Sequence, residues 1–195
     1  MALAISNRYY DRVIFATRST MLLVGLVIVM MLVTAVTKNK FASLQHAIDT
    51  QSTVAATVAE RTKQLDCLTK NIYWEAASEP FEGKVAVAQV TINRLQSGKF
   101  ADSVCGVVYQ KTTFNSKTVC QFSWFCENNY LVKTVYKPLY KESEEVAKMV
   151  LLEGFRLPTI KEALYYHADY VNPRWNKPRI TQIGRHIFYK EKLDV

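Results

Sequence analysis

The chain has 195 residues, of which 49% are hydrophobic and 22% charged. That length and apolar content suit one compact domain with an appendage and exclude a disordered polyelectrolyte. The formal net charge of +8 is spread along the chain, which gives a solvated basic surface or one drawn to a polyanion; anionic lipid or an acidic wall polymer fits, and nucleic acid is set aside because no motif for binding it is present.

Residues 1–18 form a basic N-terminal region, with Arg8, Arg12 and Arg18 against Asp11. Residues 19–37 contain no charge, and their centre reads MLLVGLVIVMMLVTAV, close to the roughly 20 apolar residues that cross a bilayer. A cleavable signal has a shorter leading region and an apolar core of about 7–15 residues, and VTA at 33–35 is only a fair cleavage site. The expectation is a retained transmembrane signal anchor. By the positive-inside tendency the N-terminus is cytoplasmic and the remainder lies in the periplasm or elsewhere outside the cytoplasmic membrane, although Lys38 and Lys40 reduce the asymmetry.

Residues 38–64 lack Pro and Gly and place Phe41, Leu44, Ile48, Ala55 and Val58 on a three-four spacing that Leu65 continues, with Gln51 and Thr62 filling its gaps. This predicts a helical stalk or linker, either self-associating as a coiled coil or standing as a lone amphipathic helix.

Residues 65–195 read as an α+β domain. Leu65, Leu68, Ile72 and Ala76 mark an apolar helix face over 65–78, and SEPFEG breaks it. KVAVAQVTINRL suits strand or helix and, from Ala86, Ala88 and its length through Gln96, is read as a helix packed closely on the first. A third helix is expected over 142–154, ended by Gly154. EALYYHAD and ITQIGRHIFYK, with NPRWNKP between them, read as two strands and a loop. Cys67, Cys105, Cys120 and Cys126 form an even set that, in an exported domain, predicts two disulfides with three possible pairings.

Glu75 sits on the border of the first apolar face among Ile72, Tyr73, Trp74 and Ala76. Partial burial there disfavours the charged carboxylate and raises its pKa, the condition for a general acid near neutral pH; the alternative is a Glu paired with Lys or Arg. Glu79, next to Pro80, suits binding to loop amides. His167 and His186 are expected to line a cleft with Tyr165, Tyr166 and Tyr189, offering apolar ring faces and polar tips to sugar rings; a Tyr-rich core sheet is the competing reading. Metal, phosphate-loop and Ser or Cys nucleophile patterns are not found, and no cofactor is expected.

Five blocks, CLTKNIYWEAASEPFEGKVAVAQVTINRL, FADSVCGVVYQ, CQFSWFC, ALYYHADYVNPRW and IGRHIFYK, resemble in order those of the SleB-type cell wall hydrolase family, from Leu65 to Lys190. The resemblance implies a lysozyme-like domain with a helical lobe and a small antiparallel sheet, acting on the glycan strand of peptidoglycan between N-acetylmuramic acid and N-acetylglucosamine. It implies Glu75 as the general acid and matches Glu79, Gln121, Phe122, Ser123, Gly184, His186 and Tyr189 to family blocks. Glu79, Gln121, Ser123, Tyr166, His167, His186 and Tyr189 form the expected substrate-binding set. It also implies the pairs Cys67–Cys105 and Cys120–Cys126. The chain has Ala77-Ser78 where the family commonly has Arg-Gly, and Glu127-Asn128 where it often has Asp-Gly.

No second carboxylate is evident in the sequence for a two-acid hydrolase. A lytic transglycosylase needs one Glu and is favoured over a hydrolase. A non-catalytic wall-binding protein and a membrane protein assembled through its stalk are the other classes.

Overall fold

The computed structural model describes residues 2–114, 116–127 and 134–192, with side chains from Arg12 onward except that of Phe114. The side chains of Arg8 and Asp11, and Asn128 of the Glu127-Asn128 departure, lie outside the described residues. The chain divides into two units, Met1–Thr57 and Val58–Val195. Helix α1 runs from Ala2 to Ala76, as expected of a stretch with no Pro and only Gly25 to weaken it.

In the first unit the described side chains are exposed, including Leu22, Leu23, Val27, Met30 and Leu32. An 18-residue window of this helix reaches a mean hydropathy of 2.5, so it is long and apolar enough to cross a membrane.

The second unit begins with the end of α1 and continues through α2 (Phe81–Ser97), α3 (Val104–Val108), β1 (Lys111–Phe114), β2 (Lys117–Cys120), α4 (Ser123–Cys126), α5 (Lys137–Leu151), a 3-10 turn (Pro158–Ile160), β3 (Tyr165–Ala168), β4 (Arg179–Ile183) and β5 (His186–Tyr189). It is mostly helical with two small antiparallel sheets, one pairing β1 with β2 and one ordered β3-β5-β4.

α2 is the central element. Residues 83–94 are all buried, which explains why its sequence lacks the polar face of a surface helix. Val85, Ala88 and Ile92 meet Leu68 and Ile72 of α1, Val104 and Val108 of α3, and Val146, Ala147 and Val150 of α5. Ala86 and Val90 join Ile160, Ala163 and Phe188 in a smaller cluster against the sheet. The helix starts after Pro80 and ends at Gly98, whose φ of +66 a left-handed cap requires. Lys84, almost fully buried, reaches Glu142 of α5 at 2.7 Å.

The polar residues of α2 do a separate job. Gln89 brackets Leu157, accepting from its N–H at 2.7 Å and donating to its carbonyl at 3.1 Å. Asn93 donates to the carbonyls of Ile160 and Ala163 at 3.1 and 2.9 Å. Arg94 Nε donates to the Leu164 carbonyl at 2.8 Å. Together they satisfy the buried backbone leading into β3 and fix where that strand begins.

Several boundaries differ from the sequence expectation. α5 starts at Lys137 rather than 142, because Pro138 fits the first helical turn, where its missing N–H is harmless. The stretch ITQIGRHIFYK, expected as one strand, folds as β4 and β5 around Gly184 at φ +57. The β1–β2 hairpin, α3, α4 and the 3-10 turn were not expected. Two disulfides are present: Cys67–Cys105 ties α1 to α3, and Cys120–Cys126 ties β2 to α4.

Candidate active site

Glu75 lies in the last turn of α1 and is half-buried. Ile72 and Ala76 beside it are in the core, Tyr73 packs edge-on to Trp74, and Trp74 stacks on Trp124 of α4. Asn71 holds α4 and α2 against this end of α1, accepting from Trp124 Nε1 at 3.1 Å and donating to Thr91 Oγ1 at 3.2 Å. The Tyr166 hydroxyl of β3 donates to Glu75 Oε2 at 3.1 Å.

Burial is the largest influence on the Glu75 carboxyl and raises its pKa above the ordinary value of 4.5. The Tyr166 hydrogen bond and the charge of Arg94 pull it down, and the charge of Glu127 pushes it up. Burial, with the Glu75 charge behind it, drives the Tyr166 hydroxyl well above 10, so Tyr166 stays a neutral donor.

Arg94 of α2 is 3% exposed. Its guanidinium carbon lies 5.3 Å from the Phe100 ring centre and 5.1 Å from that of Phe122. With the Gln121 amide turned so that its oxygen faces the guanidinium, that oxygen accepts from Arg94 Nη1 and Nη2, each at 3.3 Å. Burial weakens Arg94's hold on its proton, while Tyr166 and Glu75 strengthen it.

Glu79 occupies a different position. It is 9% exposed, and its Oε2 accepts from the Arg185 backbone N–H at 2.9 Å in the β4–β5 turn. A Cβ on Gly184 would fall 1.9 Å from the same oxygen, so the turn closes on the carboxylate because residue 184 has no side chain. His186 is buried, its Nδ1 has no hydrogen-bond partner among the described residues, and burial lowers its pKa below 6.5, which favours the neutral ring.

Strand alternation divides the expected sugar-binding set. Tyr166 and His186 lie on one sheet face, their rings 5.0 Å apart, with Phe188. Tyr165, His167 and Tyr189 occupy the opposite face: His167 Nε2 bonds the Tyr189 hydroxyl at 2.9 Å, its ring stacks on Tyr189, and Trp175 meets both edge-on. The expectation that all five line one cleft is corrected here: a four-residue strand with period two cannot aim positions 165, 166 and 167 the same way. Ser123 is exposed at the start of α4.

The structure therefore gathers Glu75, Tyr166 and Gln121 of the sequence candidates and adds two groups that sequence reasoning passed over, Arg94 and Glu127. Arg94 carried a signal, being a charged residue in a run of twelve otherwise apolar, small or amide-bearing positions apart from Lys84. Glu127 had been noted only as a departure from a family pattern. Among the described residues no group of three His, Cys, Asp or Glu is assembled that could hold a metal ion.

Comparison with known proteins gives a consistent picture. Residues 78–189 match the cell wall hydrolase family, a match that starts three residues after Glu75 and takes in the other candidate residues. Spore cortex-lytic enzymes are similar: that of Oceanobacillus iheyensis is 30% identical over 148 residues, covering 73% of this chain and 48% of the relative. That of Bacillus subtilis is 33% identical over 125 residues, covering 62% and 35%. The chain thus spans about half or less of the length of these curated relatives. Among solved structures, the catalytic domain of the Bacillus cereus SleB protein aligns with a TM-score of 0.47 at 27% identity, over 66% of this chain and 91% of that one.

Proposed function

Because the chain belongs to the cell wall hydrolase family, we propose that it is a membrane-tethered enzyme that cleaves the glycan strand of peptidoglycan with Glu75 as its acid. One observation carries the assignment: Glu75 is a half-buried carboxyl whose pKa is raised by that burial and whose oxygen is held by a neutral tyrosine. A carboxyl that holds its proton more tightly than an ordinary Glu is suited to deliver it to a glycosidic oxygen.

The reaction we favour is lytic transglycosylation. Glu75 gives its proton to the bridging oxygen as the bond from the muramic acid anomeric carbon breaks. The 6-hydroxyl of the same muramic acid then bonds to that carbon and returns its proton to Glu75, leaving a 1,6-anhydro sugar and an unchanged enzyme. No water is consumed. The SleB catalytic domain from Bacillus anthracis is described as a germination-specific lytic transglycosylase. A second reading is hydrolysis with Glu127 activating water, favoured by the influence of its charge on Glu75. In both, a lysozyme-like arrangement sets helices beside a small sheet. Tyr166, Gln121, Ser123 and His186 are the proposed sugar contacts, with His167 and Tyr189 on the outer face binding more remote parts of the polymer.

The apolar segment 19–37 is the proposed anchor, with residues 1–18 in the cytoplasm and the domain outside. The seam of Phe41, Leu44, Ile48, Ala55 and Val58 offers a route to self-association.

The test is digestion of purified peptidoglycan by the full chain in detergent, with products read by mass spectrometry. We expect anhydro-muropeptides, and a loss of at least about 100-fold in rate for Glu75→Gln with the fold retained. Reducing-end products that vanish in Glu127→Gln would establish hydrolysis instead, and undiminished clearing by Glu75→Gln would remove the assignment.

A further inference from the structure

We propose that Arg94 is a positioning residue of the Glu75 site: one buried guanidinium locks together the two segments that flank Glu75 and supplies the fixed positive charge against which the Glu75 carboxylate forms when its proton leaves. The inference rests on Glu75 being the acid.

Arg94 reaches two segments far apart in sequence. Its Nε holds the Leu164 carbonyl, two residues before Tyr166, and its Nη1 and Nη2 face the Gln121 side chain, two residues before Ser123. The fork spans from β3 to the start of α4, and Tyr166 in turn holds Glu75. A lysine has neither the planar fork nor the reach to make these contacts together. The rings of Phe100 and Phe122 restrict the guanidinium further.

Neutral amides can satisfy carbonyls in this region, as Gln89 and Asn93, five positions and one position before Arg94 on the same helix, do for Leu157, Ile160 and Ala163. Burying a cation for those bonds alone is costly. Among the described residues Arg94 forms no ion pair: its Nε holds Leu164 and its Nη1 and Nη2 each reach Gln121, so its charge acts on Glu75 without a carboxylate bound to it. Among the described residues, the groups that act on the Glu75 carboxyl are Tyr166 of β3, which is hydrogen-bonded to it, and the charges of Arg94 of α2 and of Glu127 just after α4. Of these only Arg94 is positive. Burial favours the protonated acid and Arg94 favours the carboxylate, so their opposition keeps Glu75 able to serve both halves of an acid–base cycle.

Arg94 is almost fully buried, so in this proposal it acts through Glu75 and the segments it holds. Its loss should therefore lower kcat and leave KM nearly unchanged. The experiment uses the full chain in detergent with 13C-labelled glutamate, the Glu75 carboxyl signal being the one missing from Glu75→Gln. In Arg94→Met the Glu75 titration midpoint should move upward, the alkaline limb of the lytic pH profile should move with it, and kcat should fall about 10-fold or more. In Arg94→Lys, which keeps a charge and loses the fork, the midpoint should stay near the parent's while kcat still falls, with KM within about twofold. An unmoved midpoint in Arg94→Met, or a raised KM with intact kcat in Arg94→Lys, would overturn the proposal. If Arg94→Met does not fold, Arg94→Lys decides through its kcat and KM. The midpoint is read without turnover, so failure of Glu75 as catalyst is seen separately, as undiminished lysis by Glu75→Gln.

Discussion

At Glu75 a single side chain carries opposing influences whose sign predicts how the protein responds to pH. Burial makes the folded chain hold this proton more tightly than the unfolded chain does. The stability that goes with the bound proton is fully present below the ordinary glutamic pKa and is lost as pH rises through the raised folded value. Replacing Glu75 by glutamine, which never ionises, removes that loss. Glu75→Gln should therefore unfold at a higher temperature than the parent at pH 8, and the gap should close towards pH 4. Thermal melts of both proteins across that range provide the check; a gap that does not vary with pH would show that burial is not what perturbs this carboxyl. A carboxyl whose ionised form destabilises the fold is what a site kept for chemistry looks like. Glu75 was legible in the sequence because an ionisable group on the border of an apolar stripe is conspicuous. Its partners were not. Tyr166 and Arg94 come from elements 91 and 19 positions further along the chain, and periodicity carries no information about which turn of one helix meets which residue of a distant strand.

Among the elements, the β4–β5 hairpin shows how one missing side chain decides local structure. Gly184 is at φ +57, and a Cβ there would meet Glu79 Oε2 at 1.9 Å. Gly184→Ala should therefore strain the turn and expel the carboxylate that holds the Arg185 amide, at a combined cost of about 3 kcal/mol or more. Urea unfolding followed by tryptophan fluorescence reads this directly, since Trp74, Trp124 and Trp175 all lie in the second unit. A cost below about 1 kcal/mol would mean that the turn relaxes without loss. The same glycine explains a misread element: ITQIGRHIFYK has an unbroken β-rich composition, and only the Gly marks the reversal. β1 and β2 escaped detection for another reason. β2 is exposed on successive residues, and the described side chains of β1 are exposed too, so the apolar alternation that marks a half-buried strand is absent. α2 was readable as a helix despite its β-branched residues because seventeen residues exceed an ordinary strand. Its buried polar residues Gln89, Asn93 and Arg94 make sense only once the chain they hold is seen.

For the whole molecule the question raised by the proposed function is how a tethered enzyme would meet a polymer that does not diffuse. Residues 58–195 contain 20 of the 25 Lys and Arg and 15 of the 17 Asp and Glu, so most of the positive excess belongs to the unit that carries Glu75. Arg174, Lys177, Arg179, Arg185 and Lys190 fall within its last stretch, around β4 and β5. If that excess attracts an acidic wall polymer, the attraction is long-range and largely solvent-exposed. Salt should then weaken it as the screening length shrinks from roughly 10 Å at 0.1 M to 3 Å at 1 M. The proposed catalysis at Glu75 would depend on a half-buried group and should be less sensitive. The expected result is that KM for insoluble peptidoglycan rises severalfold between 0.1 and about 1 M sodium chloride while kcat changes by less than about twofold. Sedimentation of Glu75→Gln with purified walls over the same range separates adhesion from turnover and should show the same weakening. Wall binding that is indifferent to salt would assign retention to the apolar and hydrogen-bonding groups near Glu75, and the basic surface would then be ordinary solvation.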